Sequence, residues 1–64
     1  MDYRFERLKQ ALFCSGTEAL EDFLGYGIPE GEDEDVTDNR LDIAYLEMSD
    51  EDLERFYARY AITA

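Results

Sequence analysis

The residues best able to do chemistry in this chain are the carboxylates of PEGEDEDVTDN, residues 29–39, a segment with six acids and no base. Carboxylate oxygens bind calcium, and a pair of carboxyl groups in a cleft can hydrolyse a glycosidic bond. Hydrolysis requires one carboxyl group in an apolar pocket that raises its pKa. Because 64 residues leave little room for such a cleft, the sequence predicts that the protein is not an enzyme.

The calcium hypothesis can be tested by aligning the segment with an EF-hand loop that starts at Asp33. Asp35 and Thr37 then occupy the third and fifth positions of the loop. However, Asp38 stands where the loop requires glycine, and Ala44 stands where it requires a bidentate glutamate. The two most diagnostic positions do not match, so we expect no metal site and no cofactor.

Histidine is absent, and cysteine occurs once, at Cys14. This composition excludes a structural zinc site and a Cys–His nucleophile. Cys14 follows Leu12 and Phe13, so we interpret it as a small, buried or half-buried apolar residue. Acids surround the glycines of GYGIPEG, residues 25–31, which argues against a phosphate-binding loop.

Charge is distributed unevenly along the chain, which has a net charge of -11. Residues 17–54 carry fifteen acids and one base, whereas residues 1–16 and 55–64 are net positive. Such a chain repels nucleic acids and anionic membranes, so we expect no direct binding to either. Crowded like charges also cost stability, which suggests that the acidic surface is used. We therefore predict a basic protein partner.

The sequence also bears on where the protein works. Cys14 has no partner for an internal disulfide, and the N-terminal residues MDYRFERLKQALF lack the apolar core of a signal peptide. No apolar run approaches the roughly 18 residues of a membrane span. These features predict a cytoplasmic protein.

The periodicity of apolar residues predicts helices over residues 3–13 and 17–24. Ser15 and Thr17 compete as the N-cap of the second helix, and Gly25 is predicted to end it. The apolar stripe of the first helix consists of Met1, Phe5, Leu8 and Leu12.

Residues 26–38 are predicted to form an acidic loop, with Thr37 as the N-cap of a third helix over residues 39–47. Apolar residues also alternate over residues 41–45. A strand there is the main alternative, although a lone strand would have nothing to pair with in this chain.

A fourth helix is predicted over residues 50–60, with Ser49 as its N-cap. The sequence thus predicts an all-α fold, a small bundle of three to four short helices in a single domain over residues 1–64. Ile43 and Leu46 lie opposite the apolar stripe of the third helix. That helix is therefore either central in the bundle or partly buried in a partner, and a homodimer is possible.

A short, very acidic, helical chain resembles in composition the protein inhibitors that imitate DNA, which are found in phages and mobile elements. The resemblance implies a non-enzymatic protein whose acidic surface docks on a basic surface of another protein. The alternative is a small structural or accessory module that self-associates through the third helix, with charge serving solubility only. The residues predicted to bind a partner are Glu18, Glu21, Asp22, Glu32, Asp33, Glu34, Asp35, Asp38, Ile43 and Leu46.

We predict that the protein becomes more stable with added salt or mild acidification, because both reduce repulsion among the central acids. The expected change in Tm is a small increase. Thermal unfolding followed by circular dichroism measures it. A Tm that falls between low and moderate salt would contradict the prediction.

Overall fold

The computed structural model describes residues 3–63, and within that range it contains helices and no strands. Met1, which the sequence places on the first apolar stripe, lies outside the described residues, as do Asp2 and Ala64. The predicted all-α class is confirmed, and residues 41–45 are helical rather than extended. The helices are α1 (Tyr3–Ser15), α2 (Thr17–Leu24), α3 (Glu34–Glu47) and α4 (Asp50–Arg59).

The start of α3 differs from the prediction. Asp33 is the N-cap, and its carboxylate accepts a hydrogen bond of 3.2 Å from the backbone N–H of Asp35. Aspartate is among the best capping residues, and the acids that follow it interact favourably with the helix dipole. Thr37 is therefore buried inside the helix instead of capping it, and the loop predicted over residues 26–38 ends at Asp33.

The N-cap predicted for α2 was wrong, although the helix begins at Thr17 as predicted. Its N-cap is Gly16, at φ 106°, and neither Ser15 nor Thr17 caps the helix. Because α1 continues through Ser15, a single residue separates the two helices and must turn the chain. Gly16 has the positive φ that such a turn requires and that other residues rarely adopt. Gly25 ends α2 in the left-handed conformation and Ser49 caps α4, as predicted.

The hydrophobic core forms around α1, which packs against each of the other three helices. Phe5 of α1 stacks on Tyr45 of α3, with ring centroids 4.2 Å apart. Phe23 of α2 contacts Phe56 of α4 edge to face at 4.9 Å. The buried apolar residues are Phe5, Leu8, Leu12, Leu20, Phe23, Leu41, Leu53 and Tyr57.

A buried cation borders this core. The side chain of Lys9 is only 9% exposed, and its ammonium group lies 3.0 Å from Asp42, 3.1 Å from Asp38 and 3.4 Å from Glu6. Burial favours a lower pKa for Lys9, but hydrogen bonds to Asp42 and Asp38 outweigh burial and raise the pKa above its ordinary value. Lys9 therefore stays charged and joins α1 to α3.

We predict that Lys9→Met lowers the free energy of unfolding by about 2 kcal/mol, because three carboxylates lose their shared cation. The figure lies below that for a fully buried pair because the partner carboxylates are 44% to 49% exposed. Arg55→Met is the matched control. Arg55 is 69% exposed and, among residues 3–63, pairs only within α4, so urea unfolding should show little change. Equal losses in the two variants would contradict the assigned role of Lys9.

Candidate functional site

Several acids that the sequence assigns to a partner surface are engaged within the fold. A carboxylate oxygen of Glu21 accepts a hydrogen bond of 2.8 Å from the backbone N–H of Ile28, which ties the loop to α2. Asp22 forms an ion pair with Arg59 of α4. Asp33 caps α3. These side chains hold the elements together, so their carboxylates are only partly available to another molecule.

Glu32 connects the loop to α3. Its side chain is 8% exposed, and its two oxygens accept hydrogen bonds of 2.7 Å from the Thr37 hydroxyl and 2.8 Å from Arg40 Nε. The hydrogen bond from Thr37 holds the pKa of Glu32 below its ordinary value against the opposing effect of burial, and Arg40 adds to the lowering. Arg40 lies against the ring of Tyr26, 5.8 Å from its centroid.

Another group of acids has no such role. The described carboxylates that form no ion pair and accept no hydrogen bond within residues 3–63 are Glu18, Glu30, Glu34, Asp35, Glu47 and Asp50. Glu18, Glu34, Asp35 and Asp50 lie in the first turns of their helices, where the dipole stabilises negative charge. Glu30 and Glu47 have neither form of compensation.

A cleft of about 400 Å³ lies between the end of α1, α2, the loop and the start of α3. We call it the acidic cleft. Its apolar part includes Phe13, Leu20 and Ile28, and its polar part includes Glu30 and Glu34. Glu32 also lines it, with both oxygens already bonded.

The predicted partner-binding residues divide among five places. Glu18, Glu21 and Asp22 line an open depression on the other side of α2. Glu32 and Glu34 line the acidic cleft, and Asp33 and Asp35 lie at the start of α3. Asp38 faces Lys9 and α1. Ile43 and Leu46 are the remaining two, on the outside of α3.

The outside of α3 carries exposed apolar side chains. Ile43 is 50% exposed and Leu46 is 80% exposed, whereas Leu41 is fully buried. The sequence correctly placed Ile43 and Leu46 opposite the core stripe. α3 lies at the edge of the bundle rather than at its centre. Val36, 46% exposed, extends the same surface and was missed. It lies seven residues before Ile43, a spacing that places both residues on one side of a helix.

Sequence reasoning also missed the burial of Lys9 and misjudged Cys14. Cys14 is exposed rather than buried, because its position on α1 faces away from Leu8 and Leu12. Among residues 3–63, no group of three or more cysteine, aspartate or glutamate side chains has an arrangement that could hold a metal ion.

Comparisons with protein-family models, curated proteins and solved structures give no match for this chain. Within the described residues, no helix has the length and apolar character needed to cross a membrane.

We predict that Glu32→Gln destabilises the protein at neutral pH, and that the difference from wild type shrinks in acid. The pKa of Glu32 is lower in the fold than its ordinary value of 4.5. Its stabilising contribution is therefore complete above that value and is lost as the pH falls through the folded-state pKa. Urea unfolding at a series of pH values measures the effect.

Glu30→Gln is the matched control for this experiment. It makes the same chemical change two residues away, at an exposed carboxylate with no ion pair or hydrogen bond within residues 3–63. Its stability should match or slightly exceed that of the wild type at neutral pH, because it removes one repelling charge. Identical pH profiles for the two variants would show that the bonds of Glu32 do not stabilise the fold.

Proposed function

We propose that this chain is a non-enzymatic interaction protein that docks its acidic surface on a basic surface of another protein. The observation that carries the proposal is the acidic cleft. There Glu30 and Glu34, neither of which is paired within residues 3–63, line the same depression as Phe13 and Leu20. An arginine or lysine side chain fits this combination, because its aliphatic stem packs on apolar groups while its cationic head meets carboxylates.

The wider charge distribution supports the same proposal. Glu18, Glu21 and Asp22 line the depression on the other side of α2, so carboxylates flank that helix on two sides. A surface of this kind attracts basic partners over distances comparable with the Debye length and speeds association. A groove that binds nucleic-acid phosphates is one such partner surface. The proposal therefore includes an inhibitor of the DNA-mimic type, acting in the cytoplasm.

The carboxyl groups whose pKa values are shifted support a non-enzymatic role. General acid catalysis needs a carboxyl group with a raised pKa. Here the pKa of Glu32 is lowered, chiefly by its hydrogen bond from Thr37, and that of Glu54 is lowered by its hydrogen bond from Arg4. Both shifts favour the charged form, and both carboxylates are bonded within the fold.

The exposed Ile43 and Leu46 favour a second candidate function, a small structural or accessory module that self-associates through α3. In that case the net charge serves solubility alone. The two candidates respond differently to salt, because an electrostatic contact weakens with ionic strength and an apolar contact does not.

The test of the first candidate uses the full chain as bait in an extract of its source cells. The captured protein is then identified and purified, and its Kd is measured at low and high salt. We expect a basic protein. The variant Glu18→Gln/Glu30→Gln/Glu34→Gln should bind it about tenfold more weakly at low salt, since charge complementarity drives the contact. Glu21, Asp22 and Asp33 are left unchanged because they hold the fold.

Asp50→Asn/Glu51→Gln/Asp52→Asn is the matched control. It also removes three negative charges, but from the start of α4 rather than from the cleft and α2. Wild-type affinity in this control, with a loss in the first variant, would support the proposal. Equal affinity in both variants, or binding that does not change with salt, would refute it.

A further inference from the structure

The outer face of α3 carries a stripe that no other element within residues 3–63 covers. Its residues, Val36, Asn39, Ile43 and Leu46, follow one another at intervals of three, four and three. At 100° per residue, they fall within an arc of about 80° on the helix. All four are exposed. This is the spacing at which one helix packs along another, although Asn39 makes one of the positions polar.

The residues on either side of this outer face are mostly acidic. Asp35 and Asp42 border it on one side, and Arg40 and Glu47 border it on the other. Arg40 is held by Glu32, and Asp42 is held by Lys9. The flanking charges without an ion pair inside residues 3–63 are therefore those of Asp35 and Glu47, and both are negative.

A shallow depression of about 150 Å³ lies next to the outer face, where the end of α2 meets α3. Leu24, Ile43 and Ala44 form its apolar part. Glu47, Tyr26 and Arg40 also line it, and Arg40 is paired with Glu32. Tyr26 is 49% exposed. An aliphatic side chain from a second helix fits such a depression, with a lysine or arginine one turn away reaching Glu47.

Charge makes a second copy of this chain a poor occupant. Each copy has a net charge of -11, and a homodimer along α3 would bring the flanking acids of two copies together. The apolar side chains of the outer face are also few for the roughly 800 Å² per partner that a stable interface buries. The contact therefore needs attraction between opposite charges.

We propose that the outer face of α3 binds an amphipathic helix with basic flanks, supplied by a partner protein. This inference rests on the proposed function and names the partner element that meets the protein. Apolar residues of the incoming helix lie along Val36, Ile43 and Leu46, and its basic residues meet Asp35 and Glu47. In helix-in-groove recognition of this kind, apolar residues at helical spacing anchor the bound helix.

The probe is a synthetic helical peptide of about three heptads, with leucine at the two core positions and lysine at the flanking positions. Titration into isotope-labelled full-length protein maps the contact by NMR, and calorimetry gives the Kd. We expect the largest shift changes at Val36, Asn39, Ile43 and Leu46, with smaller ones at Tyr26. A peptide with the same composition but no amphipathic order should bind at least about tenfold more weakly, because its apolar residues no longer align.

The variant Ile43→Gln/Leu46→Gln should lose at least tenfold in affinity for the ordered peptide. Both positions are exposed, and glutamine is a good helix former, so the fold should be retained. Tyr3→Gln is the control, because Tyr3 is another exposed apolar residue, 78% exposed and on α1. It should bind as the wild type does. Circular dichroism of each variant verifies that helicity is kept.

Three results would overturn the inference. The first is unchanged affinity of the Ile43→Gln/Leu46→Gln variant for the ordered peptide. The second is equal binding of the peptide that has the same composition but no amphipathic order. The third is that the wild type sediments as a homodimer and this variant sediments as a monomer. The variant keeps the full net charge, so its result is separable from the electrostatic proposal. If the captured basic protein still binds the Ile43→Gln/Leu46→Gln variant but not the Glu18/Glu30/Glu34 variant, the helix-docking mode fails and the proposed function stands.

Discussion

Lys9 holds together the part of the fold most exposed to electrostatic repulsion. Its ammonium group is shared by Asp38 and Asp42 of α3 and by Glu6 of α1, so one buried cation reduces the repulsion among three carboxylates. A chain with a net charge of -11 can bring α3 against α1 only if the acids on the facing side are compensated. That compensation lets the aromatic stack of Phe5 on Tyr45 form beside it.

Two further cations join elements at the edges of the bundle. Arg59 joins α4 to α2 through Asp22, and Arg40 joins α3 to the loop through Glu32. These bases join separate elements of the fold, whereas Arg55 pairs within α4. Among residues 3–63, the acids without an ion pair include Glu30 and Glu34 at the acidic cleft and Asp35 and Glu47 beside the outer face of α3. The distribution of bases therefore creates the surface that we propose for partner binding.

The two proposed contacts use different forces on neighbouring surfaces. In the acidic cleft, carboxylates beside apolar groups favour a single cationic side chain. On the outer face of α3, an apolar stripe with acidic borders favours a longer amphipathic element. Thr37 and Glu34 line the cleft, and Val36 and Asp35 belong to the opposite side of the same helical turns. The first turns of α3 thus lie between the two surfaces, and their position is fixed by the Asp33 cap and the bonds of Glu32.

The sequence by itself determined the all-α class, three of the helix positions to within two residues, and the core stripes, because these follow from local periodicity and from caps such as Ser49. It also placed Ile43 and Leu46 on the outside of α3. Only the tertiary structure decided which acids are free. Ion pairs such as those of Lys9 with Asp42 and Asp22 with Arg59 join residues more than 30 positions apart, and local spacing does not encode such contacts. The start of α3 was missed because Asp33 and Thr37 are both good caps, and the choice between them depended on Glu32 binding Thr37 from the loop.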